Sequence, residues 1–345
     1  LNYLFVVNTE SQVHTWKHII KQIKNNNGNV LIRARNHGHT LTLLRYEGLN
    51  YESFSSIRWR LFKPLDIAKQ LIYGIKIKFS LKLKVVIGFG IDAAVIAKVC
   101  DTASVVFTDT EPIGVQNTLL RWFCTIIMTP SCFKNNLGNK QIKVPSYKEL
   151  AYLHPDLFTP DSSLLMQLGI QDKTKYIIMR FNAFNAVHDI NKKGFSLEEK
   201  VHLIHELAPL TRIFISSEIP LSDAIKQYEL TAEVDRIHHI LFHAALLITD
   251  AGTMATEAAV LGTPALLYLP DYHKFGNFNE LEGRYGLVHC FDDSEQLLFK
   301  ALELINFDNL LLDYSTNRSI LLKEKVNMNQ IFSKLIVNRD YFNEL

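Results

Sequence analysis

Leu246-Leu247-Ile248-Thr249-Asp250-Ala251-Gly252-Thr253-Met254-Ala255-Thr256-Glu257-Ala258-Ala259-Val260-Leu261-Gly262-Thr263-Pro264 is the stretch on which the reading of the whole chain turns. Its apolar start, Leu246 to Thr249, reads as a buried strand, Gly252 as a tight turn, and the Ala-rich run from Thr253 to Leu261 as a helix. A strand that feeds a helix this directly leaves backbone N–H groups facing outward at the positive end of the helix dipole. Such an end holds phosphate. Glu257, about one turn into the helix, is placed to accept hydrogen bonds from two ribose hydroxyls. The local pattern alone carries a second reading, in which Gly252 only makes the turn, Thr253 caps the helix and Glu257 is solvated.

Outward from this stretch, short β-branched or aromatic runs alternate with longer helical patterns, the grammar of βα units around parallel sheets. Tyr3 to Val7 predicts a strand, Val13 to Lys24 a helix, and Asn29 to Arg33, Val85 to Gly88, Ser104 to Thr108 and Ile126 to Thr129 further strands. Periodicity breaks from Lys148 to Pro160, where we place a domain boundary. A second series begins at Tyr176. It includes a helix from Ser196, capped by Ser196 with Glu199 three residues on, strands at Arg212 to Ser216 and Leu287 to Cys290, and a helix near Leu221 to Glu229. The closing stretch from Leu322 reads as helical.

With 345 residues, 48% hydrophobic and 21% charged, the chain is too long for one ordinary core and too apolar for disorder. A formal net charge of +2 gives no global basic field for nucleic acid. The four cysteines are too few and too widely spaced for a disulfide scaffold or a CxxC site, which points to reduced thiols in a cytosol. No run reaches the roughly 18 apolar residues of a membrane span, and the opening Leu4-Phe5-Val6-Val7 lacks the flanks of a signal peptide.

The 246–264 stretch resembles the diphosphate loop of the UDP-N-acetylglucosamine 2-epimerases, D-S-G-G-x-Q-E-E-A followed by L-G-x-P. Ala251, Thr253 and Thr256 replace the serine, the second glycine and the first glutamate. A closer resemblance is to the family called domain of unknown function 354. It rests on Phe107-Thr108-Asp109-Thr110-Glu111, Tyr147-Lys148-Glu149-Leu150-Ala151-Tyr152-Leu153-His154-Pro155, Arg180-Phe181 with His188-Asp189, Ser216-Ser217-Glu218, and Gly252-Thr253-Met254 with Glu257-Ala258-Ala259. It implies an α/β, glycosyltransferase B-type fold, with two Rossmann-like doubly wound domains facing a cleft. Residues 1–150 would form the acceptor or sugar side and 151–322 the nucleotide side. Residues 323–345 would form a C-terminal helix packing back on the first domain.

Ligands of doubly wound sheets bind beyond the carboxyl ends of the strands, and several loops there carry chemistry. His14, in the first turn after the first strand, is read either as a contact to a sugar or phosphate oxygen or as a packing histidine. Asp109 and Glu111 leave the fourth predicted strand together; the epimerases place a catalytic glutamate in a similar loop, and Glu111 is the catalytic candidate. Asp109 is read equally as closing an Asx turn before Pro112. Arg180, at the end of a strand, calls for a phosphate or a structural carboxylate such as Asp189, and we favour the latter. His188 is a ligand contact, and Ser217 and Glu218 are free to line a nucleotide site. His238-His239 makes a poor metal site, because adjacent histidines on a helix diverge.

One local charge imbalance stands out. From Ile57 to Lys84 there are eight basic residues and one acid, Asp66, interleaved with Trp59, Phe62, Ile72, Tyr73 and Phe79. This reads either as a solvated helix or as a face for anionic lipid headgroups. Ile75 to Lys84 alternates like a strand, whereas the family resemblance implies helix. The expectation is therefore a cytoplasmic glycosyltransferase-like enzyme, peripheral at the inner face of a membrane, serving surface polysaccharide or glycan precursors. It would use a UDP-sugar donor, with no metal, no permanently bound cofactor and no nucleic-acid partner. A hydrolysing 2-epimerase and a non-catalytic nucleotide-sugar binder are the alternatives. Gly252 and Thr253 would receive the diphosphate and Glu257 the ribose, with Glu111 and His14 or His188 acting at the sugar.

Overall fold

The computed structural model describes residues 2–55, 63–112, 114–170, 174–182, 194–217, 220–232, 234–306 and 310–337. The chain divides into two compact units, one running to Tyr152 and taking in the stretch from Val326 onwards, the other Leu153–Lys325.

The first unit runs β1 (Asn2–Val7), α1 (Glu10–Asn25), β2 (Asn29–Arg35), α2 (Thr40–Tyr46), β3 (Glu52–Phe54), α3 (Lys63–Ser80), β4 (Leu83–Phe89), α4 (Ile91–Val99), β5 (Ala103–Phe107), α5 (Gly114–Phe123), β6 (Ile126–Pro130) and β7 (Gln141–Val144). Its seven strands lie in the order β3-β2-β1-β4-β5-β6-β7, all parallel. The inner strands are apolar throughout because helices cover both faces; Leu4 to Val7, Val85 to Ile87 and Val105 to Phe107 are all fully buried. Tyr73 and Ile77 of α3, Ala93, Ala94, Ile96 and Ala97 of α4 and Leu120 of α5 pack on one face. Val13, Trp16, Ile19, Ile20 and Ile23 of α1 recur at helical spacing and are buried.

The second unit runs α6 (Ser163–Gln167), β8 (Tyr176–Phe181), α7 (Leu197–Leu207), β9 (Arg212–Ser217), α8 (Ile237–Phe242), β10 (Leu246–Thr249), α9 (Gly252–Leu261), β11 (Ala265–Tyr268), α10 (Gly276–Gly283), β12 (Val288–Phe291), α11 (Ser294–Ile305) and α12 (Leu310–Glu324). Its five parallel strands lie in the order β12-β11-β10-β8-β9. The chain then returns to the first unit as α13 (Met328–Phe332) and a π turn at Ser333–Val337. Asn329 Nδ2 donates to the Ala151 carbonyl (2.9 Å), and the Phe332 and Trp16 rings sit 4.6 Å apart.

Several expectations need correction. Residues 63–80 are helical, as the family resemblance implies and despite the alternation from Ile75, because Tyr73, Gly74 and Ile77 face the sheet at helical spacing. The segment expected as a helix near Leu221 to Glu229 holds only a 3-10 turn at Lys226–Tyr228. Only its end joins β9, where Glu229 bridges Ile215 in the parallel sense and Leu230 N donates to the Ile215 carbonyl (2.8 Å). Among the described residues, the helix expected from Leu322 onwards is interrupted, since α12 ends at Glu324 and α13 restarts at an Asn327 cap. The capping box at Ser196 is present in both directions.

Candidate functional site

A doubly wound sheet binds at the point where its strand order reverses. In the second unit that point lies between β8 and β10. Thr249 closes β10: its hydroxyl donates to the Arg180 carbonyl (2.8 Å) and accepts from Ala251 N (2.9 Å). Asp250, 3% exposed, then ties down the backbone around the switch point. Its Oδ1 accepts from Asn182 N (2.7 Å) and its Oδ2 from Phe195 N (3.2 Å). Burial pushes its carboxyl up to about 6, opposed by those N–H groups and by Lys200. Asp250 is thus a clamp on the loop, a role that only the fold reveals.

α9 starts immediately after. Its N-cap, Ala251, is extended and offers no side-chain cap, so the first N–H groups of the helix keep their outward polarity. A Cβ on Gly252 would lie 2.6 Å from Phe278 Cζ, so only glycine lets α10 approach this end. The helix is buried from Met254 to Leu261, its alanines permitting close packing. Gly262, at φ +87°, ends it in the left-handed region that glycine favours. Thr253 and Glu257 lie one turn apart on the same side. Glu257 is not solvated: it is 4% exposed, and its Oε1 lies 3.0 Å from Nε2 of the equally buried His238 on α8. Arg180 donates to Ser216 Oγ across the β8–β9 pair (2.7 Å), its register partner near the end of β9, and Ser217 closes that strand. His188, Asp189 and Glu218 lie outside the described residues.

In the first unit the order reverses between β1 and β4. Asn8 Nδ2, just past β1, donates to Asp92 Oδ2 in the first turn of α4 (3.1 Å). Burial raises the Asp92 carboxyl, against that hydrogen bond. The loop after β5 holds the two candidate carboxylates, and the structure gives them separate partners. Glu111, 5% exposed, accepts from Lys134 N (3.2 Å), and its own carbonyl accepts from Asn135 Nδ2 (3.0 Å) and Asn117 Nδ2 (3.3 Å). Asp109 is paired with the Lys148 ammonium, which also lies 2.8 Å from Glu149 Oε1. Burial works against the charge on Lys148, but Asp109 and Glu149 together hold it ionised far above the usual range. Burial also lifts Glu149, to about 7, although Lys148 opposes the shift. His14 is buried with its ring stacked on Tyr152 (5.3 Å).

Sequence reasoning missed Lys148 and His238 as partners of site residues. The signal for Lys148 was a Lys-Glu pair between tyrosines in a stretch without periodicity. For His238 no local signal existed. Among the described residues no group of three or more His, Cys, Asp or Glu side chains is arranged to hold a metal ion.

Two doubly wound parallel units of this kind define a glycosyltransferase B-type fold, and solved structures of that fold superpose along the chain's length. The MnaA protein of S. aureus, solved with UDP, matches at TM-score 0.70 and 12% identity, covering 100% of this chain and 98% of that one. The UDP-GlcNAc 2-epimerase of Neisseria meningitidis, bound to UDP-GlcNAc, matches at TM-score 0.68 and 13% identity, covering 98% and 100%. The spinosyn rhamnosyltransferase SpnG with its aglycone matches at TM-score 0.60 and 11% identity, covering 97% and 100%. At such identities the likeness establishes the fold. The chain belongs to the family described as protein of unknown function (DUF354), whose model matches residues 3–279, as the sequence motifs implied. It has no match among curated protein sequences.

Proposed function

We propose that this protein is a cytoplasmic, glycosyltransferase-like enzyme that takes a UDP-linked sugar as donor and builds surface polysaccharide or a glycan precursor. The observation that carries this reading is the start of α9: an uncapped helix N-terminus at the switch point of the second sheet, reached through a glycine and followed one turn later by a buried carboxylate. The Gly252 and Thr253 N–H groups take the diphosphate. Glu257, set by His238, takes the ribose, and Ser217, Glu218 and Arg180 line the nucleotide side. When the bond from the sugar to the diphosphate breaks, negative charge grows on the departing UDP, where fixed N–H dipoles stabilise it most. Glu111, with His14 or His188, handles protons at the sugar, and Asp109 orders the Glu111 loop through Lys148.

The buried Glu111 carboxylate after β5 also supports a second reading, hydrolysing 2-epimerisation, which needs acid–base groups at the sugar but no acceptor. Incubation with UDP-N-acetylglucosamine, with and without candidate acceptors, separates the two by UDP release. Release only with acceptor is expected; release without acceptor identifies the epimerase, and saturable binding with no turnover identifies a binding protein. Absence of binding at millimolar concentration removes the donor assignment. Within either enzyme reading, Glu111→Gln abolishes turnover and spares UDP affinity, while Glu257→Ala weakens UDP affinity.

A further inference from the structure

The basic stretch around α3 plays no part in the nucleotide reading, and the structure shows what it presents. α3 buries Gln70, Tyr73, Gly74 and Ile77 against the sheet. Its opposite face carries Leu71 (41% exposed), Ile72 (67%), Ile75 (52%) and Phe79 (85%), a stripe at helical spacing made of large apolar side chains in water. Single exposed hydrophobics are ordinary, but a stripe of four on one helix marks an interaction surface. The stripe is bordered by exposed Lys69, Lys76, Lys78 and Lys82. Lys78 pairs with Asp101 and Lys69 lies 3.7 Å from Asp66, whereas among the described residues no carboxylate pairs with Lys76 or Lys82. Lys84 faces inward, its Nζ donating to Tyr3 Oη (3.2 Å) and towards the Ile336 and Val337 carbonyls, and so leaves the surface group expected from sequence.

The same face of the sheet is covered by α4 and α5. α5 carries no acid and exposes Val115 (79%) and Trp122 (77%), two turns apart on one side, with Arg121 beside them; α4 adds exposed Lys98.

We propose that this helical layer of the first unit docks on an anionic lipid surface. Phe79, Ile72, Ile75 and Trp122 enter the boundary between headgroups and acyl chains, and Lys76, Lys82, Lys98 and Arg121 reach the phosphates. Charge complementarity selects the occupant: among the described residues of α3, α4, α5 and the turns that follow them, Asp101 is the one exposed acid and it is already paired with Lys78, so neither a second copy of the same face nor a basic partner can settle on it without placing like charges together. No helix among the described residues is long and apolar enough to cross a membrane, so the contact is at the surface. The docking does not depend on the nucleotide-sugar reading.

Co-sedimentation of the full chain tests it, using vesicles of phosphatidylcholine alone and of phosphatidylcholine with phosphatidylglycerol. Binding is expected to the anionic vesicles only and to fall as salt rises. Near an anionic surface each lysine adds about fivefold in affinity, so Lys76→Gln with Lys82→Gln lowers binding roughly 30-fold. Ile72→Ser with Phe79→Ser removes it; all four side chains are exposed, so unchanged thermal unfolding is the control for folding. Equal binding to both vesicle types, no binding at low salt, or a dimer dispersed by Ile72→Ser with Phe79→Ser each overturns the proposal.

Discussion

The two units share one grammar and differ where it matters chemically. Both are parallel, doubly wound sheets with a single reversal of strand order. At the reversal of the second unit, the polar groups are mainly backbone N–H groups arranged by Thr249 and Asp250, and the end of α9 stays open. At the reversal of the first unit, side chains meet each other, Asn8 with Asp92, and its loop carboxylates are held by Lys148 and Lys134 N, while the Asn117 and Asn135 amides hold the Glu111 carbonyl. An open helix end favours an anion brought from outside, whereas a network satisfied from within favours carboxylates kept in fixed states. The difference accords with the proposed function, in which one unit holds a diphosphate and the other supplies acid–base groups.

The contrast breaks first at Lys148. Removing one partner of a buried charge cluster costs about 3–5 kcal/mol. Lys148→Met leaves Asp109 and Glu149 facing each other and is expected to lower the midpoint of thermal unfolding by roughly 10 °C. Adding Asp109→Asn and Glu149→Gln to it is expected to recover part of the loss. An unchanged midpoint in Lys148→Met means that the first unit is not organised around this cluster.

In the second unit the corresponding change is Gly252→Ala, whose Cβ meets the Phe278 ring. Overpacking of this kind costs about 1–3 kcal/mol, and shifting α10 disturbs the start of α9, so on the proposed function both thermal stability and UDP affinity are expected to fall. Phe278→Leu in the same chain makes room and should restore much of both; calorimetric titration with UDP reads the result. A smaller effect is expected for His238→Asn, which frees Glu257 to rotate and weakens UDP binding about tenfold, in line with the loss of a hydrogen bond to a charged group. If His238→Asn binds UDP as the parent does, the buried pair is only structural.

The parts of this arrangement that were legible in the sequence are those written into one continuous segment. The strand, turn and helix of 246–264, the Ser196–Glu199 cap and the central strands announce themselves through apolar runs and short-range spacing. β3 and β7 were not foreseen, because short strands at the edges of a sheet need little apolar side-chain surface. The helix expected at 221–229 failed because Ile225 alone among its apolar residues is buried against the unit, and the backbone found a partner in β9. The stretch from Lys148 lacked periodicity and suggested a boundary. In the fold, Tyr147 to Leu153 is buried, and a lone lysine is accommodated there by carboxylates from two segments. Pairings such as His238 with Glu257 connect separate elements, and periodicity records only which face of each element is turned inward.

The finest distinction between the units concerns Asp250, the one carboxylate at the open site that binds only backbone. Its folded value, about 6, stands above the ordinary 3.8 because burial outweighs the N–H groups of Asn182 and Phe195. Between these values the folded protein keeps a proton that the unfolded chain has released. The carboxyl's contribution to stability is therefore complete below about pH 3.8 and is lost as pH rises through about 6. Asp250→Asn cannot ionise and shows no such loss. The unfolding midpoint of the parent, measured relative to Asp250→Asn, is accordingly expected to decline by a few degrees from pH 4 to pH 6 and to level off above pH 7. A difference that stays flat across this range, or that grows with pH, would mean that the clamp is ionised throughout and that burial does not outweigh its backbone N–H partners.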